Sequence, residues 1–164
     1  MRYAQIRKTD ISNGIGIGVS MFLQGCSHHC KGCFNSETWN FDGGYEFTPE
    51  IEEEFLKSCM REHVDFISFL GGEPFDQADE LYNLIKLLRR MTSKPIYIWS
   101  GYTYEQILSD PNKAKILTYI NYLIDGKFIY ELKDPNLKLR GSSNQRVIDV
   151  QRSLANKKIR LVED

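Results

Sequence analysis

The chain has 164 residues, 41% of them hydrophobic and 26% charged, with a formal net charge of −1. That length builds a core without disulfide staples, and the charge balance supplies neither the basic field of a nucleic-acid binder nor an acidic solvating tail. The polar start, with Arg2, Arg7, Lys8 and Asp10, lacks the apolar stretch of a signal peptide, and no run approaches a membrane span. A cytoplasmic protein without nucleic-acid or membrane partners is therefore expected, where cysteines serve as metal ligands, redox groups or core residues rather than as disulfides.

Strands alternate with helices and no repeat, low-complexity tract or long linker interrupts them. The expectation is a single α/β domain over residues 1–164, with a mostly parallel sheet and helices packed outside. Residues 19–23 (VSMFL) form the first strand, ending at Gln24-Gly25. The segment 26–44 is rich in Cys, Gly, His and Asn and reads as a long functional loop. Thr48-Pro49-Glu50 then opens a helix: Thr caps, Pro suits the first turn, and Glu suits the positive helix end. Ile51, Phe55 and Cys59 share one face of it, with Leu56 and Met60 beside them.

Residues 66–70 (FISFL) form a second strand that stops at Gly71-Gly72. A helix over 77–91 carries the stripe Leu81, Leu84, Ile85, Leu88 and Met91. A third strand covers 95–100, and Thr103 with Gln106 forms a capping box for a short helix. Another helix spans 111–118, followed by a strand through Tyr122, Leu123 and Ile124 that ends at Asp125-Gly126. In the last forty residues, 145–150 and 159–162 read as strands.

Gly25-Cys26, Gly71-Gly72, Ser100-Gly101 and Asp125-Gly126 each follow the C-terminal end of a predicted strand. In parallel α/β folds those ends share one edge, and ligands bind there. Gly14-x-Gly16-x-Gly18 lacks the full dinucleotide spacing and precedes a strand, so it is read as backbone freedom and not as a nucleotide loop.

The chemistry centres on Cys26-Ser-His-His-Cys30-Lys-Gly-Cys33. Three thiolates so close in sequence converge only if the chain wraps around one centre, and Gly32 permits that wrap. Thiolates favour iron–sulfur clusters, zinc or copper(I). On a cubane cluster three cysteines leave the fourth iron without a protein ligand, and an open position implies a ligand from solution. The alternative is a structural zinc site completed by His28 or His29. Zinc modules usually bring their ligands in two separated pairs, which this loop does not. Cys59 reads as core, His28 and His29 as polar loop residues, and His63 as a helix end.

The spacing Cys-x3-Cys-x2-Cys resembles the signature of the radical S-adenosylmethionine superfamily, and Gly71-Gly72-Glu73-Pro74 is similar to its glycine–glycine–glutamate–proline motif. Within the superfamily the chain resembles the activases of anaerobic ribonucleoside-triphosphate reductase, a group of glycyl-radical activating proteins. The matching stretches are Asn13-Gly14-x-Gly16, the cysteine loop through Phe34-Asn35, Thr38-Trp39, Trp99-Ser-Gly-Tyr102, Asp125-Gly-Lys-Phe128, Leu132-Lys-Asp-Pro135 and Arg140-Gly-Ser-Ser-Asn-Gln145. Many superfamily members carry an aromatic residue before the third cysteine; here Gly32 stands there and Phe34 follows Cys33, as in the activases.

The resemblance implies an open partial (β/α) barrel. It implies a 4Fe-4S cluster on Cys26, Cys30 and Cys33, and S-adenosylmethionine bound at the open iron. The expected cofactor contacts are backbone at Gly32, Cys33 and Phe34 for the adenine, and Gly71, Gly72 and Glu73 for the amino group. Ser100 is expected at the methionine or ribose, and Asp125 and Lys127 at a monovalent cation or the cofactor carboxylate. Arg140 would pair with a carboxylate or the partner, and Trp39, Phe41 and Tyr45 would meet the partner. The implied partners are the large subunit of the anaerobic reductase, which receives a glycyl radical, and a reductant protein such as flavodoxin or ferredoxin. An activase of another glycyl-radical enzyme and a non-catalytic zinc-stabilised interaction module stand as alternatives.

Overall fold

The structure, a computed structural model, describes residues 1–162. Seven strands form one sheet in the order β3-β1-β2-β4-β5-β6-β7. They are β1 (Arg2–Asp10), β2 (Gly18–Leu23), β3 (Tyr45–Glu46), β4 (Phe66–Gly71), β5 (Ile96–Trp99), β6 (Tyr122–Asp125) and β7 (Arg146–Asp149). β2, β4, β5 and β6 are parallel, as the alternation of strands and helices predicts. Both edges are antiparallel, through β1 and β3 on one side and β7 on the other. The architecture is mixed α/β.

β1 escapes the sequence reading for a physical reason. Gln5, Arg7, Lys8 and Thr9 are exposed, so the segment lacks a clean apolar alternation. It is a strand because its backbone pairs with β2, with Ile6 opposite Met21 and Arg7 opposite Ser20.

The register sorts side chains by face. Val19 pairs with Ile67, Met21 with Phe69, Ile67 with Ile96, and Ile98 with Leu123. All of these are fully buried and pack with Phe55, Cys59, Leu81, Ile85, Leu88, Ile107 and Ile116 from the helices. Each such aliphatic or aromatic side chain contributes about 1.5–3 kcal/mol when fully buried. The alternate residues, Ser20, Phe22, Phe66, Ser68, Leu70, Tyr97 and Trp99, belong to the opposite face. That face supplies the floor of the site.

Five helices cover the other side: α1 (Pro49–Cys59), α2 (Ala78–Met91), α3 (Tyr104–Ser109), α4 (Pro111–Leu117) and α5 (Val150–Asn156). Ile51 N donates to Thr48 Oγ1 at 3.3 Å, the expected cap of α1. The capping box of α3 is complete, with Gln106 N to Thr103 Oγ1 at 3.2 Å and Thr103 N to Gln106 Oε1 at 2.9 Å. A single 3-10 turn, Pro74–Gln77, precedes α2. Of the α2 stripe, Leu81, Leu84, Ile85 and Leu88 are buried, while Met91 at the helix end is exposed.

The last forty residues differ most from expectation. β7 ends at Asp149, whose carboxylate caps α5 by accepting from Arg152 N at 3.1 Å. Residues 159–162 form a bridge, not a ladder: Leu161 pairs with Ile148, and Val162 N donates to Val147 O at 2.8 Å. Among the described residues no helix is long and apolar enough to cross a membrane.

Candidate active site

The four parallel strands release the chain at one edge, and the loops that follow enclose a cavity of about 340 Å³. Cys26, Cys30, Cys33 and Phe34 line it from the loop after β2, and Gly71, Gly72 and Glu73 from the turn after β4. Ser100 and Gly101 enter after β5, and Gly126 and Phe128 after β6. Phe22, Leu70 and Trp99 form its floor. Motifs separated by a hundred residues thus meet because a parallel sheet puts all its C-terminal strand ends on one side.

The cysteine loop is built by local backbone geometry. Gly25 turns at φ +112°, and Gly25 N and Cys26 N donate to Thr38 O and Trp39 O, closing the stem. Cys33 N reaches back to Cys30 O at 3.1 Å across Gly32, whose φ of +73° is readily available to glycine. Cys26 is 8% exposed, and Cys30 and Cys33 are half-buried. Burial pushes the Cys26 and Cys30 thiols up; hydrogen bonds from His28 N and His29 N to Cys26, and from Phe128 N to Cys30, oppose it. Asn35 N lies 3.3 Å from Cys33 Sγ. Backbone donors aimed at sulfur are the environment that tunes a cluster-bound thiolate.

The donor set fits a cluster better than a single ion. Three thiols face one cavity, yet among the described residues no three His, Cys, Asp or Glu side chains gather closely enough to hold one metal ion. A four-iron cube is wider than an ion, so its ligands stand farther apart. Both candidate fourth ligands for zinc are engaged with protein. His28 Nε2 lies 2.8 Å from Glu73 Oε1, and His29 stacks on Trp39 at 4.6 Å. Cys59 lies in the core, as expected.

Glu73 is fully buried and heavily bonded. Its Oε1 accepts from Gly101 N at 2.7 Å and its Oε2 from Phe75 N at 2.9 Å. The Ser100 hydroxyl straddles both oxygens at 3.0 and 2.8 Å and accepts from Tyr102 N at 3.0 Å. Ser100 therefore lines the cavity with its proton already spent on Glu73. Gly72 fits where a side chain would not: a Cβ there would lie 2.3 Å from Gly25 O.

Other expected residues lie elsewhere. Asp125 is buried behind the cavity, bonded to Arg146 and accepting from Tyr104 N at 2.7 Å. Lys127 is exposed; its charge favours the Cys30 thiolate, and its carbonyl accepts from Asn144 Nδ2 at 2.8 Å. Gly32 packs beneath the Tyr130 ring. Phe34 is 61% exposed and meets Phe128 at 5.0 Å.

The stretch 140–145 has a structural explanation that its sequence does not announce. Gln145 Oε1 accepts from Gly141 N and Ser142 N at 2.8 and 3.1 Å, and its Nε2 donates to Gly126 O at 2.9 Å. Arg140 Nη1 donates to Gln145 O at 3.1 Å. The stretch therefore clamps the segment after β6 that carries Phe128. The sequence reading missed Gln145 as an individual residue, and also Arg7, whose guanidinium sits 4.7 Å over the Phe22 ring at the cavity rim. It missed His28 too, whose only sequence signal is its place between two cysteines.

Residues 12–148 match a family model described as a 4Fe-4S single cluster domain. The anaerobic ribonucleoside-triphosphate reductase-activating protein of Vibrio cholerae is 36% identical over 151 residues, spanning 88% of this chain and 96% of that protein. The chain belongs to this family of activating proteins. The member from Salmonella typhimurium is 37% identical over 153 residues, spanning 90% of this chain and 97% of its own. The member from Escherichia coli is 35% identical over 153 residues, with the same two shares. The family match contains all four strand-end segments of the cavity, so the site lies wholly within what this chain shares with the activating proteins.

Proposed function

We propose that the protein activates an anaerobic ribonucleoside-triphosphate reductase by generating a glycyl radical on its large subunit. The observation that carries this reading is the meeting of Cys26, Cys30 and Cys33 with the Gly71–Glu73 turn in one cavity. The three thiolates would hold a 4Fe-4S cluster, and S-adenosylmethionine would complete it at the iron they leave open. When bound, the reduced cluster supplies the electron that cleaves the cofactor to methionine and a 5′-deoxyadenosyl radical, which takes a hydrogen atom from glycine.

The chain's own residues bind, orient and exclude water. Backbone at Gly71, Gly72 and Glu73 receives the amino group of the cofactor, and backbone at Gly32, Cys33 and Phe34 borders its adenine. Lys127 meets its carboxylate. Asp125 is committed to Arg146 and Tyr104, so a monovalent cation at Asp125 is left out of the proposal. No side chain is required as an acid or base. The sheet is read as an open partial barrel in a single domain, whose open side admits a protein loop. A cytoplasmic setting and an acidic reductant of the flavodoxin or ferredoxin class complete the proposal.

The test is anaerobic reconstitution with iron and sulfide, reduction, and addition of S-adenosylmethionine and the reductase. The expected result is 5′-deoxyadenosine together with a glycyl-radical signal on the large subunit, both absent with Cys30→Ala. A radical on a different glycyl-radical enzyme only would redirect the partner; zinc without sulfide in the active preparation would overturn the reading.

A further inference from the structure

We propose that His28 is a positioning residue, which locks the cysteine loop onto Glu73 and thereby sets where the amino-acid end of the cofactor sits relative to the cluster. The inference deepens the functional reading above and rests on it.

The geometry is specific. The His28 side chain is 7% exposed, and its Nε2 lies 2.8 Å from Oε1 of a Glu73 side chain that is 1% exposed. A carboxylate oxygen accepts, so Nε2 is the donor. The ring packs edge-on against Tyr102, at 4.5 Å and 71°. It also lies flush against Gly101, where a Cβ would come within 2.5 Å of His28 Cδ2. The imidazole is a wedge between the cysteine loop and the loop after β5.

Glu73 makes the wedge consequential. The same carboxylate holds Ser100, Gly101 N and Phe75 N, so one buried group joins the cysteine loop, the turn after β4, the loop after β5 and the start of the 3-10 turn. A second acid repeats the arrangement one step along. Asp76 accepts from Ser27 N at 2.9 Å and from Tyr102 OH at 2.6 Å. Adjacent residues of the cysteine loop, Ser27 and His28, are thus tied to two acids three positions apart. Each acid is tied in turn to the loop after β5. Two parallel ties restrain rotation as well as translation, which one tie cannot do. Cys26 and Cys30 flank the tied pair, and the backbone at Gly71 and Gly72 leads directly into Glu73. The separation between thiolates and cofactor turn therefore passes through the His28–Glu73 bond. A buried, fully partnered polar group of this kind specifies one arrangement more than it adds stability.

The experiment compares wild type, His28→Gln and His28→Leu after anaerobic reconstitution. Iron and sulfide per chain report cluster assembly. The electron paramagnetic resonance spectrum of the reduced cluster, titrated with S-adenosylmethionine, reports binding. Glutamine keeps an amide donor within reach of Glu73; leucine fills the space without one. All three proteins are expected to carry a full cluster. Wild type and His28→Gln should respond over similar cofactor concentrations. His28→Leu should need about tenfold more, the scale of one lost hydrogen bond to a charged group. Titration of His28→Leu like wild type would overturn the inference. So would cluster loss in both variants, which would make His28 a purely structural part of the cysteine loop. If the wild-type spectrum ignores the cofactor, the functional reading itself falls, a result distinguishable from either of these.

Discussion

Arg146 closes on Asp125 with two hydrogen bonds, Nε to Oδ1 at 3.0 Å and Nη2 to Oδ2 at 2.5 Å, and the two residues are direct partners in the antiparallel β6–β7 register. Asp125 also receives Tyr104 N, and Arg146 reaches Glu105 at 3.1 and 2.7 Å. The pair therefore fastens β6, β7 and the start of α3 at the edge behind the cavity. Asp125→Ala should lower stability by about 2–4 kcal/mol, because it strands a partly buried guanidinium and a helix N–H. Glu105 is more than half exposed, and Glu105→Ala should cost less than about 1 kcal/mol. Urea denaturation of the two variants checks the contrast.

The four cysteines should separate cleanly. Cys26→Ser, Cys30→Ser and Cys33→Ser should each lose most of the iron and sulfide taken up on reconstitution. Cys59→Ala should keep both. Cys59 is fully buried in the core and burial pushes its thiol up to about 12, so it stays protonated and unreactive. Its replacement should cost about 1–2 kcal/mol through lost packing. Alkylation of the unreconstituted protein should spare Cys59 until the fold is opened by denaturant.

Gly72→Ala should disturb the cavity more than any other glycine substitution of the cofactor turn. The new Cβ would lie 2.3 Å from Gly25 O and 3.0 Å from Leu23 O, both backbone atoms. Those strands also exchange hydrogen bonds here, with Gly72 N to Leu23 O at 2.9 Å and Glu73 N to Gly25 O at 2.8 Å. Neither side can yield cheaply, so about 1–3 kcal/mol of stability should be lost by overpacking. Loss of the cofactor's effect on the cluster spectrum, with the cluster retained, is the functional readout.

Asp10 should shape the acid limb of the stability curve. It is 3% exposed; burial raises its pKa, but hydrogen bonds from Ser20, Asn13 and Ser12 N and the charge of Arg7 outweigh this and hold it below the ordinary value of 3.8. A depressed carboxyl stabilises the fold above its unfolded-state pKa, and that stabilisation is lost as pH falls through the folded value. Wild type should therefore lose stability below about pH 4, the unfolded aspartate range. Asp10→Asn should start less stable and show a flatter decline over the same window. An unchanged slope would remove Asp10 from the account.

The chain order of chemistry was readable because its signals are local. Pro49, Thr48 and the Thr103–Gln106 box announce helix starts through bonds made within four residues. The runs at 19–23 and 66–70 announce buried parallel strands through their apolar continuity, and cysteine spacing announces a soft-metal loop. β1 and α5 were not readable. β1 exists because β2 offers it a backbone partner, and α5 follows a strand that only the register with β6 defines.

The same division runs through the site. Residue type and spacing settled which groups bring the chemistry: three thiolates in one loop and a glycine-rich turn at a strand end. Tertiary structure settled how each group is used. Ser100 spends its hydroxyl on Glu73, Asp125 turns away to Arg146, and Gln145 clamps the segment that carries Phe128. His28, one of two adjacent loop histidines in the sequence, becomes the donor to a buried carboxylate forty-five positions away. Ligand identity depends on the chemistry of a side chain, which the sequence states outright. Orientation depends on which distant backbone and side-chain groups a parallel sheet brings to its shared edge, and only the folded chain decides that.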